Sequence, residues 1–281
     1  MNRYYSLITG ASQGFGKVLA IECARLGMSL VLVSLPGNEL HILASLIRSK
    51  YGVAVVCIEK DLCENESCAN VFREVSNLGI QVNMLFNNAG VGDTGLFTEG
   101  SCSMYEKQIK LNVLATTLMT RHFVEMLKAN SPSYILNVGS LASFFSLPNK
   151  QVYGATKSFV YYFSRCLRKE LRGDKVYVSV LCPGGMNTNV RISLLIKKAS
   201  YLTRLSCMEP ESVVPAALHG LLRKQAVIIP GKLNRLFIIL DTILPAFIKN
   251  TLLNNSLPRL KASPSNYNVA DSLPANSTIM A

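Results

Sequence analysis

The sequence is poor in charge: 16% of its 281 residues are Asp, Glu, Lys or Arg against 49% apolar, so it is greasier than an average soluble domain. No stretch reaches the roughly 18 uninterrupted apolar residues of a membrane span, so none is expected. Nor is an N-terminal targeting segment expected, because Tyr4 to Thr9 is too short for a signal core and leads straight into a glycine loop. Eight cysteines match no zinc pattern (Cys63 to Cys68 is one spacing), and without a leader they imply reduced thiols in a cytoplasmic protein. Asn-x-Ser/Thr matches at Asn65 and Asn254 then carry little weight. Zinc, RNA-binding and helix-turn-helix signatures are absent as well, so a nucleic acid partner is not expected despite a net charge of +12. That charge is uneven: residues 187–261 hold 11 Lys/Arg and 3 Asp/Glu, or eight of the twelve excess charges. An anionic cofactor, substrate or membrane surface accounts for it better. Nothing repeats internally, and no linker precedes the C-terminal tail.

What is present is an alternation of short apolar runs and helical patterns. Tyr4 to Thr9 reads as a strand, followed by the glycine turn Gly10-Ala-Ser-Gln-Gly14-Phe-Gly16 and a helix from Lys17 to Leu26. Strand, glycine turn and helix in that order open a nucleotide-binding βαβ unit: small residues admit a pyrophosphate, and the helix N-terminus offers it unpaired N–H groups. Further strands are expected at Ser29–Ser34, Val53–Glu59, Val82–Phe86, Tyr134–Val138 and Val176–Leu181. Helices are expected at Glu39–Lys50, Glu66–Asn77 and Ser103–Leu127 and in the run holding Tyr153. Such alternation implies a parallel sheet covered on both faces. In the last helix Val152, Phe159, Val160, Phe163 and Leu167 form an apolar stripe, and Tyr153 and Lys157, four apart, share a face. An ammonium beside a phenol is expected to pull its pKa below the usual value of about 10, making a general acid/base.

TGASQGFG at Thr9–Gly16, Asp61, NNAG at Asn87–Gly90, Asn112, Ser140, Tyr153-x-x-x-Lys157 and PGGMNT at Pro183–Thr188 stand in the order and spacing of the short-chain dehydrogenase/reductase superfamily, which the chain resembles from residue 4 to about 230. The resemblance implies an α/β fold, a single Rossmann-type doubly wound parallel sheet, that moves a hydride between nicotinamide and a carbonyl or alcohol. It further implies that Tyr153 is the general acid/base and that Lys157 depresses its pKa and holds the nicotinamide ribose. Ser140 would bond the substrate oxygen, and Asn112 would hold a water linking Lys157 to solvent. The cofactor would lie along Gly10, Ser12, Gln13, Gly14, Phe15 and Gly16, with Asp61 and Leu62 at the adenine and Asn88, Ala89 and Gly90 at the adenosine ribose. Pro183, Gly184, Met186 and Thr188 would border the nicotinamide and pyrophosphate. An NAD enzyme places a carboxylate at the end of the second strand. Here that place is Ser34, whose hydroxyl could bond a 2′-phosphate, so NADP is expected over NAD, although the arginine common in NADP enzymes is missing at Gln13 and after the strand. No metal is expected.

The catalytic domain is expected to cover residues 1–231, with a substrate lid at about 187–208 in which Ile192, Leu195, Ile196, Ala199 and Leu202 form an apolar face ringed by Arg191, Lys197, Lys198 and Arg204. Residues 232–261 read as an apolar, basic-flanked C-terminal helical extension. It packs on the core or lies at a membrane interface, and residues 262–281 read as a disordered tail. The greasy extension resembles superfamily reductases of lipid-like ketones: 3-oxoacyl chains, 3-ketosphinganine and steroids. A reductase of small soluble carbonyls and an idle NADP-binding module are the alternatives. The family is usually dimeric or tetrameric, so a homo-oligomer is expected.

Overall fold

A computed structural model describes residues 4–186 and 206–243, with side chains to residue 240. Strands β1 (Tyr5–Thr9), β2 (Ser29–Ser34), β3 (Val55–Glu59), β4 (Val82–Asn87), β5 (Ser133–Val138), β6 (Val176–Leu181) and β7 (Val227–Ile228) form one sheet in the order β3-β2-β1-β4-β5-β6-β7. Every pairing is parallel. Side chains alternate across it, as a pleat requires. Ile8, Leu30 and Leu32 enter one core with α1 (Gly14–Arg25), α2 (Asn38–Tyr51) and α7 (Pro210–Leu222). Leu7, Val31 and Val33 enter the other with α3 (Ser67–Asn77) and α5 (Thr116–Ala129). The doubly wound sheet is the one expected from the alternation; α7 and β7 were not anticipated.

Two helices depart from the sequence pattern. The run expected as one helix at Ser103–Leu127 is α4 (Cys102–Ile109), a π turn at Lys110–Ala115, and then α5. In α6 (Gln151–Glu170) the buried face is Thr156, Lys157, Val160 and Ser164, whereas Phe159 from the apolar stripe is 41% exposed and Tyr162 is 72% exposed. The face turned to the sheet carries polar side chains, and apolar rings are left outside. Near the C-terminus, α8 (Lys232–Ile243) is fixed on one side by buried Asn234, which donates to Pro230 O at 3.0 Å. Its other side exposes Leu236, Ile239 and Leu240. Most of the expected lid, the second half of the apolar segment Leu236–Ile248 and the tail lie outside the described residues.

Candidate active site

The strand order reverses between β1 and β4, and open α/β sheets receive ligands in the crevice beyond the C-terminal ends of such a pair. Thr9 ends β1 and joins its rim to that of β4: its hydroxyl accepts the N–H groups of Asn88 and Ala89, both at 3.0 Å, and donates to Phe86 O. Asn88 answers with its amide, donating to Thr9 O at 2.8 Å and Gly10 O at 3.0 Å. Gly16 sits so close beneath this knot that a Cβ would collide with the Gly10 carbonyl and stand 2.5 Å from Asn88 Nδ2. Gln13 precedes α1 with no side-chain cap, and no acidic residue occupies the helix's first turn. The N–H groups from Gly14 onward are therefore open to an anion, so the loop fits the pyrophosphate of a dinucleotide. Ser12 is half-buried and Gln13 exposed, whereas the Phe15 side chain is buried in the core, leaving only its backbone for a ligand.

Beyond β5, Ser140 Oγ accepts from Ala142 N (3.1 Å) and stands near the Tyr153 hydroxyl. Lys157 is buried one turn further along α6 and donates to Val138 O at 2.8 Å. Burial pulls its ammonium down to about 8, with the Cys182 thiol working the other way. Tyr153 does not follow the expectation that this ammonium would depress it. Burial raises its pKa, and the neighbouring Ser140 hydroxyl opposes that rise. Lys157 Nζ stands 5.9 Å from the ring centroid and is held on a carbonyl, and withdrawal of the phenol from water disfavours the phenolate.

Asn112 lies in the π turn between α4 and α5. Its Oδ1 accepts from Val91 N (2.8 Å), and its Nδ2 donates to Val91 O (2.8 Å) and Thr156 Oγ1 (3.0 Å). Thr156 in turn donates to Tyr153 O at 2.7 Å. A Cβ on Gly90 would lie 3.0 Å from Asn112 Oδ1 and 3.3 Å from Lys157 Nζ, and one on Gly92 would lie 2.8 Å from the Tyr153 ring. The loop after β4 thus runs directly over the tyrosine. Leu141 N donates to Pro183 O (2.8 Å), bringing the loop after β6 to the same place. Gly184 packs on the Ser206 carbonyl, and Met186 bridges Met208. Thr188 lies outside the described residues.

The rim of β2 differs from its reading. Ser34 is buried and its hydroxyl donates to Leu35 O at 2.8 Å, so that proton is not offered to a phosphate. A carboxylate does reach this rim, from the neighbouring strand: β3 pairs Glu59 with Ser34, and Glu59 Oε1 accepts from Gly37 N (2.9 Å) with His41 Nε2 at 3.4 Å. The Gly37 N–H holds the Glu59 carboxyl below its usual pKa, assisted by His41. Asp61 Oδ1 accepts from Cys63 N (2.9 Å), and Leu62 is buried beside it.

Residues 5–198 match the family model described as short chain dehydrogenase. The chain belongs to the short-chain dehydrogenase family. It is 32% identical over 244 residues to estradiol 17-beta-dehydrogenase 11 of Rattus norvegicus, covering 85% of this chain and 79% of that protein. It is 30% identical to an NADP-dependent 3-hydroxy acid dehydrogenase of Schizosaccharomyces pombe, over 81% of this chain and 90% of the relative. Among solved structures, a short-chain dehydrogenase from Sphingobium yanoikuyae in complex with NADPH superposes with a TM-score of 0.73 at 28% identity, covering 94% of this chain and 98% of the other. The bulky-bulky ketone specific alcohol dehydrogenase from Comamonas testosteroni gives 0.72 at 27% identity, over 98% and 100%.

In this short-chain dehydrogenase, sequence reasoning passed over Thr156, Gly92 and Glu59. Thr156 could have been found, since it follows Tyr153 by three residues on one helix. Glu59 could not, because its nearness to Gly37 arises from the pairing of β2 with β3.

Proposed function

We propose that the chain is an NADP(H)-dependent reductase of a lipid-like 3-oxo compound, with Tyr153 as the general acid. The observation that carries this reading is the convergence of the Ser140 and Tyr153 hydroxyls with Lys157 buried behind them. When bound, the dinucleotide supplies or accepts the hydride at the carbonyl carbon. Ser140 and Tyr153 together hold the carbonyl oxygen, and Tyr153 gives it a proton as the alkoxide forms. A tyrosine whose pKa is raised stays protonated and ready to donate. Lys157 uses one N–H on Val138, and its remaining donors serve the ribose and the tyrosine's recharging. Asn112 and Thr156 hold Val91 and the first turn of α6 in register. The preference for NADP rests on the NADPH-bound neighbour and the NADP-dependent relative. The lipid-like substrate rests on the exposed apolar stripe of α8 and on the ketone and steroid names among the similar proteins. Exposed Phe159 and Tyr162 on α6 favour a homo-oligomer. NADPH oxidation against a panel of long-chain and short ketones is the test. Preference for short soluble ketones would replace the substrate class, and dinucleotide binding without turnover of any carbonyl would favour an idle binding module.

A further inference from the structure

Beside the site stands a cation that none of the chemistry above uses. Lys150 precedes α6, three residues before Tyr153, and its Nζ lies 5.8 Å from the Tyr153 ring centroid. Lys157 Nζ stands 5.9 Å from the same centroid, so two ammonium groups attend one ring. Lys157 has Val138 O as its acceptor. Lys150 has no carboxylate within ion-pair distance among the described residues. Residues 187–205, which join Met186 to Ser206, contain no Asp or Glu, so they offer none either. The near ionisable group is the Cys207 thiol, itself held protonated by burial.

The place is unfavourable for a positive charge on two counts. Lys150 is partly withdrawn from water, which lowers its pKa, and it sits at the positive end of the α6 dipole. A charge taken partly out of water gains from a partner of opposite sign. We propose that Lys150 receives the carboxylate of the substrate, so that the preferred substrate is a 3-oxo or 3-hydroxy acid with its acid group on Lys150 and its reacting oxygen on Ser140 and Tyr153. This rests on the hydride-transfer reading above and narrows its substrate. A single ammonium matches a compact monoanion, whereas phosphate groups are usually held by several converging donors. The chain's positive excess draws an acid in.

The test is oxidation of 3-hydroxyoctanoate and its methyl ester with NADP by the full chain and by its Lys150→Met and Lys150→Arg variants. The wild type is expected to favour the acid. Lys150→Met should raise KM for the acid about 10- to 100-fold more than for the ester, the scale of one lost charge-assisted hydrogen bond, and Lys150→Arg should restore part of the difference. Equal losses for acid and ester, or a shared shift of the pH profile, would show Lys150 acting on Tyr153 instead and overturn the inference. So would a loss of NADPH affinity in fluorescence titration, which would assign Lys150 to the cofactor. A wild type that reduces ketones of the panel but ignores the acid would overturn it too, with the proposed function left standing. Failure with every carbonyl compound would bring down the proposed function itself.

Discussion

Lys157 is a buried ammonium with a single carbonyl as its partner among the described residues, and burial carries a calculable penalty. The unfolded chain holds this proton up to 10.5, whereas the folded chain releases it near 8. Between those pH values the unfolded state binds more protons, so stability rises with pH across the window and is penalised below it. At about 1.4 kcal/mol per pH unit the penalty is on the order of 3 kcal/mol at neutral pH. Lys157→Met should therefore melt higher than the parent at pH 7 without cofactor and lose the stability gain between pH 8 and 10.5. Parallel melting curves for the two proteins across that window would refute the account. At Tyr153 the expectation is the reverse in kind: Tyr153→Phe removes one oxygen, leaves the Thr9–Gly16 loop intact and should lower kcat about 100- to 10,000-fold while dinucleotide binding persists. Single-turnover kinetics beside NADPH fluorescence separate the two effects, and near-normal turnover would remove Tyr153 from the chemistry.

At the scale of elements, the legible parts were those written in local pattern. The second and sixth strands fall where the apolar runs end, and the glycine turn forecasts the entry into α1. The π turn was not legible, since Lys110–Ala115 has an ordinary helical composition and its widening is tied to where Asn112 must reach Val91 and Thr156. The upward shift of the Tyr153 pKa was also hidden, because a sequence shows the nearby lysine but not how far the phenol is withdrawn from water. At the β2 and β3 rim the same blindness concealed a charge. Glu59 occupies the Gly37 N–H that an anion at the start of α2 would want. Removing that charge with Glu59→Gln should improve NADPH binding relative to NADH by about 10-fold, through loss of repulsion toward the 2′-phosphate. Fluorescence titration with both dinucleotides decides it, and an unchanged ratio would place Glu59 outside the ribose site.

For the molecule as a whole, no helix among the described residues is long and apolar enough to cross a membrane. Lys232 and Arg235 open α8, and Leu236, Ile239 and Leu240 line its outer side. Apolar burial and attraction to anionic head groups then act together at one surface. Anionic vesicles should sediment the intact protein at low salt, and Leu236→Glu with Ile239→Glu should leave it in the supernatant. Equal recovery of both proteins would assign the stripe to packing between chains. The Thr9 knot has a consequence for how the molecule opens. The amides of Asn88 and Ala89 are bonded to a side chain 79 and 80 residues away. The Asn88 amide also bonds the local Phe86 carbonyl, but the Ala89 amide has only Thr9 Oγ1 as its acceptor, so solvent deuterium reaches it when β1 and β4 part. The Ala89 exchange rate therefore reports the breathing of the sheet's centre, at the seam on which a dinucleotide would rest.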